Sequence, residues 1–315
     1  MALSALHCHN RMMELKDFKW LELCEKLKLS ADDFRAWLRS QGLLAVPVCP
    51  ICSGTMSIRP QEDVWICHKR ACRTNEGTKP SLSVRYGSFF ANSNFPESTI
   101  FATAYFWLRE FGSFRTKSFE LGVSAKMLTY WERRLRSICS RFYRRHPPII
   151  GGPGVIVEVD ETNVTRRKYN RGRIVRRKEW LFGGVERGSG RAFMVFVRRS
   201  DAATLTNIIL KFIRPETTIM SDSWRAYSQL SRLPAGYRHL TVNHMVNFVD
   251  PQTGAHTQNI ESLWQKFKMV PKKKYGLNTK RYTDYIREFL WRREFGEPGE
   301  IIFNFFEHVA EIYPC

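Results

Sequence analysis

The chain has 315 residues, 43% of them hydrophobic and 25% charged, a balance that suits a globular protein and excludes wholesale disorder. Fifty Lys and Arg against 30 Asp and Glu leave a formal net charge of +20, which points to a polyanionic partner, nucleic acid or an anionic membrane surface, over a merely soluble basic protein. No apolar run reaches the about 18 residues of a membrane span, and the start MALSALHCHNRMMELKDFKW is too polar for a cleaved secretory signal.

Residues 12–45 read as two short amphipathic helices, the second capped by Ser30 with Asp33 three residues later and ended by Gly42. From Val46 to about Phe90 the character changes to paired cysteines, prolines and short β-prone pieces, DVWIC and SLSVRYG. Here CPIC (Cys49, Cys52) and CHKRAC (Cys67, Cys72) offer four soft ligands at zinc spacing, with His68 as an alternative ligand in the wider second pair. A structural zinc ribbon is expected over 46–90, with zinc supplying most of its folding free energy; the competing reading is four ordinary buried cysteines. Clustered rather than evenly spread cysteines suit a reducing compartment.

Two helical stretches come next, near 98–111 and 116–145. In TKSFELGVSAKMLTYWERRLRSICSRFYRR, Gly122 marks a turn and Ser124 an N-cap, the layout of a helix-turn-helix. Leu128, Trp131 and Leu135 form its apolar stripe, while Lys126, Arg133, Arg134, Arg136 and Arg141 are candidate phosphate partners. A helical hairpin with a solvated basic face fits the same pattern. RRHPPIIGGPG reads as a linker, placed at 147–154, between a helical 91–146 segment and a C-terminal half of different pattern.

Beyond the linker, VIVEVDE, EWLFGGVER and RAFMVFVRR are three strands, AATLTNIILKFI a helix, TTIMSD a strand, SWRAYSQL the start of a helix, YRHLTVNH a strand and NIESLWQKFK a helix. Strands in succession and then alternating with helices imply a mixed sheet covered by helices, an α/β domain over 155–296. Strand alternation puts Glu158 and Asp160 on one side and Val157 and Val159 on the other. Asp160 and Asp222 each end a strand, and Glu261 lies in the first turn of a helix. Each acid alone also reads as a cap or turn residue. Together they can converge on magnesium or manganese, and a pair of such ions suits in-line displacement at phosphate. Lys268, two helical turns after Glu261, is placed to meet a phosphate. RRKYNRGRIVRRK, with Arg166, Arg167, Lys168, Arg171, Arg173, Arg176, Arg177 and Lys178, is a candidate DNA surface or a solvated loop.

The pieces VEVDET, WLFGGVER, MSDSWRAY, VNHMVNFVDPQTGAHTQNIESLWQKFK and YIREFLWRR, in this order behind a cysteine module, resemble the DDE transposases of the Merlin superfamily and their relatives among bacterial insertion sequences. The resemblance implies an RNase H-like fold, Asp160, Asp222 and Glu261 as catalytic acids holding two Mg²⁺ or Mn²⁺ ions, and His256 and Asn259 lining the site. It implies end cleavage and strand transfer on double-stranded DNA, the terminal inverted repeats and a target, by at least a homodimer without a membrane partner. A nuclear location would follow in a eukaryotic host and a cytoplasmic or nucleoid one in a bacterium. The rival reading is a host-recruited, catalytically silent DNA-binding protein; a nuclease without strand transfer would use the same site. Within this frame Asp160 bridges both ions, and Glu158 and Glu161 are bystanders or supports. The tail 297–315 is expected to pack as a helix.

Overall fold

The computed structural model describes residues 11–73, 77–163, 180–222, 225–243, 249–274, 277 and 281–314. They form two compact units, Met1–Phe142 with Phe295–Cys315, and Tyr143–Glu294.

In the first unit, α1 (Trp20–Leu27) and α2 (Ala31–Ser40) are amphipathic, as read from the sequence. Ser30 caps α2: its oxygen accepts from the Asp33 backbone N–H at 3.2 Å, and its hydroxyl donates to the Asp33 carboxylate at 2.7 Å. A three-stranded antiparallel ribbon comes next, β1 (Ser57–Arg59), β2 (Val64–Ile66) and β3 (Ser81–Ser83). The first of these was not legible, since three residues carry too little alternation. Then come α3 (Glu97–Leu108), buried along nearly its whole length, α4 (Phe114–Glu120) and α5 (Ala125–Arg145). The C-terminal segment is a helix, Ile301–Ile312, and it completes the core of this unit. Phe306 stacks on Phe101 at 4.6 Å and Phe305 meets Trp107 at 5.8 Å.

A buried ion network ties the ribbon to these helices. Glu97 Oε1 accepts from Arg35 Nε at 3.0 Å and from Arg85 Nε at 2.7 Å, and Arg35 also holds Asp63 at the β1–β2 turn. Only 4% of the Glu97 side chain is exposed, so its two arginines have no ready substitute in water.

The second unit contains β4 (Ile156–Asn163), β5 (Trp180–Glu186), β6 (Ala192–Val197), α6 (Ala202–Phe212), β7 (Thr218–Asp222), β8 (Arg238–Val242), α7 (Gln258–Lys273) and α8 (Tyr282–Phe295). Its sheet has the order β6-β5-β4-β7-β8. The first three strands pair antiparallel, while β4–β7 and β7–β8 pair parallel. This is a mixed, helix-flanked sheet of an α/β fold, as the succession of strands and helices predicts. Val157 and Val159 enter the main core with Phe182, Phe193 and Ile219, under Leu205 and Ile209 of α6. The opposite face, carrying Glu158, Asp160 and Thr162, meets α7.

Two local readings differ from the sequence. SWRAYSQL does not form a helix over its described part; Arg225–Tyr227 and Leu230–Arg232 are single 3₁₀ turns. Tyr227 and Leu230 are drawn into the core, which overrides the helical spacing. The Pro–Gly stretch before β4 packs on the sheet unit: Ile150 bridges Ile213, and the Gly151 and Gly152 N–H groups donate to Glu186 and Thr217.

Replacing Glu97 by Ala leaves two buried guanidinium groups without their shared carboxylate. Denaturant unfolding of the zinc-loaded chain should then show a loss of about 3–5 kcal/mol. Val46→Ser, at an exposed position, should stay within about 0.5 kcal/mol.

Candidate functional site

The even-numbered face of β4 and the inner face of α7 are matched in spacing. Two residues advance a strand by about 6.7 Å, and four advance a helix by about 6.0 Å. Glu158, Asp160 and Thr162 accordingly meet, in turn, residues 259–260, 264 and 268. Glu158 Oε2 accepts from the backbone N–H of Asn259 at 2.9 Å and of Ile260 at 3.1 Å. Asp160 Oδ2 accepts from Trp264 Nε1 at 3.0 Å. Lys268 Nζ donates to Thr162 Oγ1 at 2.6 Å.

The parallel register completes the arrangement. Ile156 pairs with Thr218 and Glu158 with Met220, so two residues further Asp160 comes level with Asp222 at the end of β7. Glu261 enters from the first turn of α7, where the Thr257 hydroxyl donates to its Oε1 at 3.2 Å. Burial pushes the Asp160 carboxyl up to about 7, and the charges of Asp222 and Glu261 push it the same way. The Trp264 hydrogen bond opposes this in part. Burial likewise pushes Glu161 up to about 8, and the charges of Asp160 and Asp222 push it the same way. Glu161 points to the opposite face from Asp160, toward the core that holds Tyr227. Asp160 thus lies within reach of the charges of both other acids read from the sequence. Among the described residues, only the four cysteines form a group whose ligand atoms all lie within 4.8 Å of one another.

His256 and Asn259 are placed on Glu158. Asn259 Nδ2 donates to Glu158 Oε1 at 2.7 Å, and His256 Nδ1 lies 3.4 Å from the same oxygen. Sequence reasoning undervalued Glu158, which is fully buried, and passed over Trp264. It passed over Gly183 too, the partner of Asp160 across the β4–β5 ladder. A side chain at Gly183 would come within 2.7 Å of the Trp264 ring, so the glycine makes the notch in which the indole lies beside Asp160. The Gly-Gly pair inside an apolar strand was the available signal. Gly183→Ala should displace that ring and lower stability by about 1–3 kcal/mol in denaturant unfolding.

In the first unit, α4 and α5 meet at Gly122, with φ of +61°, and Ser124 Oγ accepts from the Met127 N–H at 3.2 Å. Leu128, Trp131 and Leu135 are buried as a stripe, and Lys126 and Arg133 are exposed. Arg134 is committed to packing: it donates to the Phe89 carbonyl at 2.7 Å and lies 5.3 Å over both Phe89 and Trp131. Arg136 is buried. The basic residues Arg166, Arg167, Lys168, Arg171, Arg173, Arg176, Arg177 and Lys178 lie outside the described residues.

Cys49, Cys52, Cys67 and Cys72 gather at the base of the ribbon, and His68 is exposed outside the group. Zinc–sulfur bonds of about 2.3 Å at tetrahedral angles require sulfurs about 3.8 Å apart, and Cys52 and Cys67 are separated by 3.9 Å. The residues therefore fit one tetrahedral zinc ion. Ser53, with φ of +52°, turns the first knuckle, and its N–H donates to the Cys49 carbonyl. Metal analysis should find about one zinc per chain. Cys72→Ser should lose it, and His68→Ala should retain it.

Comparison with known proteins bears on the second unit. Residues 151–294 match the ISXO2-like transposase domain. A Haemophilus influenzae protein described as transposase-like is 24% identical over 102 residues, 32% of this chain and 80% of that protein. Among solved structures, the simian T-cell lymphotropic virus intasome bound to PP2A regulatory subunit B56 gamma aligns at 16% identity and TM-score 0.32, over 60% of this chain and 67% of that one. The HTLV-2 integrase catalytic core with magnesium aligns at 14% identity and TM-score 0.30, over 46% and 88%. Those two likenesses are too slight to carry a conclusion. The sequence match is the informative one: residues 151–294, the unit that holds the acids, are similar to the ISXO2-like transposase domain.

Proposed function

We propose that the chain is a metal-dependent DNA transposase that cleaves at transposon ends and joins the freed 3′ ends to target DNA, a cut-and-paste reaction. The observation that carries this reading is the register of β4 on β7, which brings Asp160 level with Asp222 inside the transposase-matching segment, with Glu261 near enough for its charge to act on Asp160. Their oxygens are the hard donors that magnesium and manganese prefer. Two ions about 3.5–4 Å apart need their ligands spread over both. An Asp160 within reach of the charges of Asp222 and Glu261, in a group less compact than the cysteines, fits that demand.

Asp160, level with Asp222, would hold the ions together with Asp222 and Glu261, and its Oδ2 is oriented by Trp264. When bound, the ions make water nucleophilic at neutral pH and stabilise the leaving oxygen. The residues of the chain position the DNA: Lys268, at the Thr162 rung, is in reach of a phosphate beside the acids. Lys126, Arg133 and the run from Arg166 to Lys178 supply further phosphate contacts. The substrate is double-stranded DNA, the terminal inverted repeats and a target. Handling two ends calls for at least a homodimer. No helix among the described residues is long and apolar enough to cross a membrane; the site of action is the DNA compartment, the nucleus in a eukaryote or the nucleoid in a bacterium.

The test incubates purified chain with inverted-repeat DNA, a target plasmid and Mg²⁺ or Mn²⁺. Cleaved ends and joined products are expected. Binding without cleavage would favour a host-recruited DNA-binding protein, and cleavage without joining a nuclease. Asp222→Ala should lower cleavage by more than the about 100-fold typical of losing an outer partner, with DNA binding retained in a mobility-shift assay.

A further inference from the structure

We infer that Glu158 is a positioning residue which, by capping α7 from β4, sets Glu261 against Asp160. Side chains of this type are rarely fully buried unless paired, and Glu158 has no exposed surface. Its Oε1 accepts from Arg187 Nε at 2.7 Å and from Asn259 Nδ2 at 2.7 Å. Its Oε2 accepts from the backbone N–H groups of Asn259 and Ile260. These two N–H groups belong to the four that a helix leaves unsatisfied at its start. Capping normally comes from the N-cap side chain, yet Thr257 at that position makes no capping bond. Its hydroxyl is turned to Glu261 instead.

The consequence is geometric. A cap supplied by Thr257 would satisfy the helix without tying it to anything. Glu158 satisfies it from the strand, two residues before Asp160, and grips the N–H next to Glu261. The height and rotation of α7 relative to β4 are therefore fixed within two residues of both acids. Arg187, just beyond β5, adds a third element to the clasp by donating to the His256 carbonyl at 3.0 Å. Buried ion pairs contribute little net stability compared with apolar packing; what this one supplies is registry.

The inference rests on reading Asp160, Asp222 and Glu261 as the metal-holding acids, and the test separates the two. Mn²⁺ binding to the zinc-loaded full chain is measured by calorimetry, alongside the thermal midpoint. Asp160→Ala should abolish binding; if it does not, the assignment of the acids fails, whatever Glu158 does. Glu158→Gln keeps the shape but faces an amide toward the Asn259 amide and Arg187. It should weaken Mn²⁺ binding about 10-fold or more, the range for an outer partner of a metal ligand. Adding Asn259→Asp restores an acceptor opposite that amide and should bring affinity back to within about threefold. Asn259→Ala, at an exposed position and so tolerated by the fold, should alone cost several-fold. With Asp160→Ala inactive, Mn²⁺ binding within twofold of the parent in folded Glu158→Gln overturns the inference. So does an Asn259→Asp change that restores nothing, or, should Glu158→Gln not fold, an Asn259→Ala chain that binds like the parent.

Discussion

Parallel pairing of β4 with β7 is the constraint on which the candidate site depends. Antiparallel neighbours would put the ends of these strands at opposite edges of the sheet. Parallel ones run the same way, so Asp222 at the end of β7 comes level with Asp160 of β4, which itself continues three residues further to Asn163. The pairing in turn requires a crossover long enough to return the chain to the starting edge, which α6 supplies while covering the apolar face. The other face is then free for α7, which brings the glutamate. The sheet thus decides where charge can gather, and α7 decides how closely.

Much of this was readable from the chain. Alternation in VIVEVDE, the turn GSG and the 3.6-residue spacing of AATLTNIILKFI are local signals, and each corresponds to an observed element. Asp222 does end its strand and Glu261 does lie in a first helical turn, but the expectation that Asp160 ends a strand was wrong: β4 continues to Asn163, paired along its whole length with β5. What escaped depended on distant partners. Glu158 alternates like a solvent-facing charge; only the arrival of Arg187, Asn259 and the start of α7 reveals why it is buried. Gly183 and Trp264 lie far apart in sequence and explain each other only when the helix lies on the sheet. SWRAYSQL failed for the converse reason: its spacing was helical, but burial of Tyr227 and Leu230 was better served by separate turns.

The chain contains two ways of bringing ligands together. In the ribbon, short-range turns deliver pairs of cysteines, so the spacing alone was sufficient and Cys72 could be preferred to His68 once the group was visible. In the sheet unit, long-range pairing delivers one acid per element, and no spacing rule predicts the result. Soft sulfur and hard oxygen donors keep the two chemistries apart.

The first unit is discontinuous: its core is finished by Phe305 and Phe306, from a helix that comes after the whole sheet unit in the chain. During synthesis, domains generally fold in the order they emerge, but here that order is reversed. The helices around Phe101 must wait, with an open aromatic surface, until the helix Ile301–Ile312 has left the ribosome. A frameshift or stop codon just after residue 294 would spare every acid of the candidate site, yet leave the other unit without its closing layer.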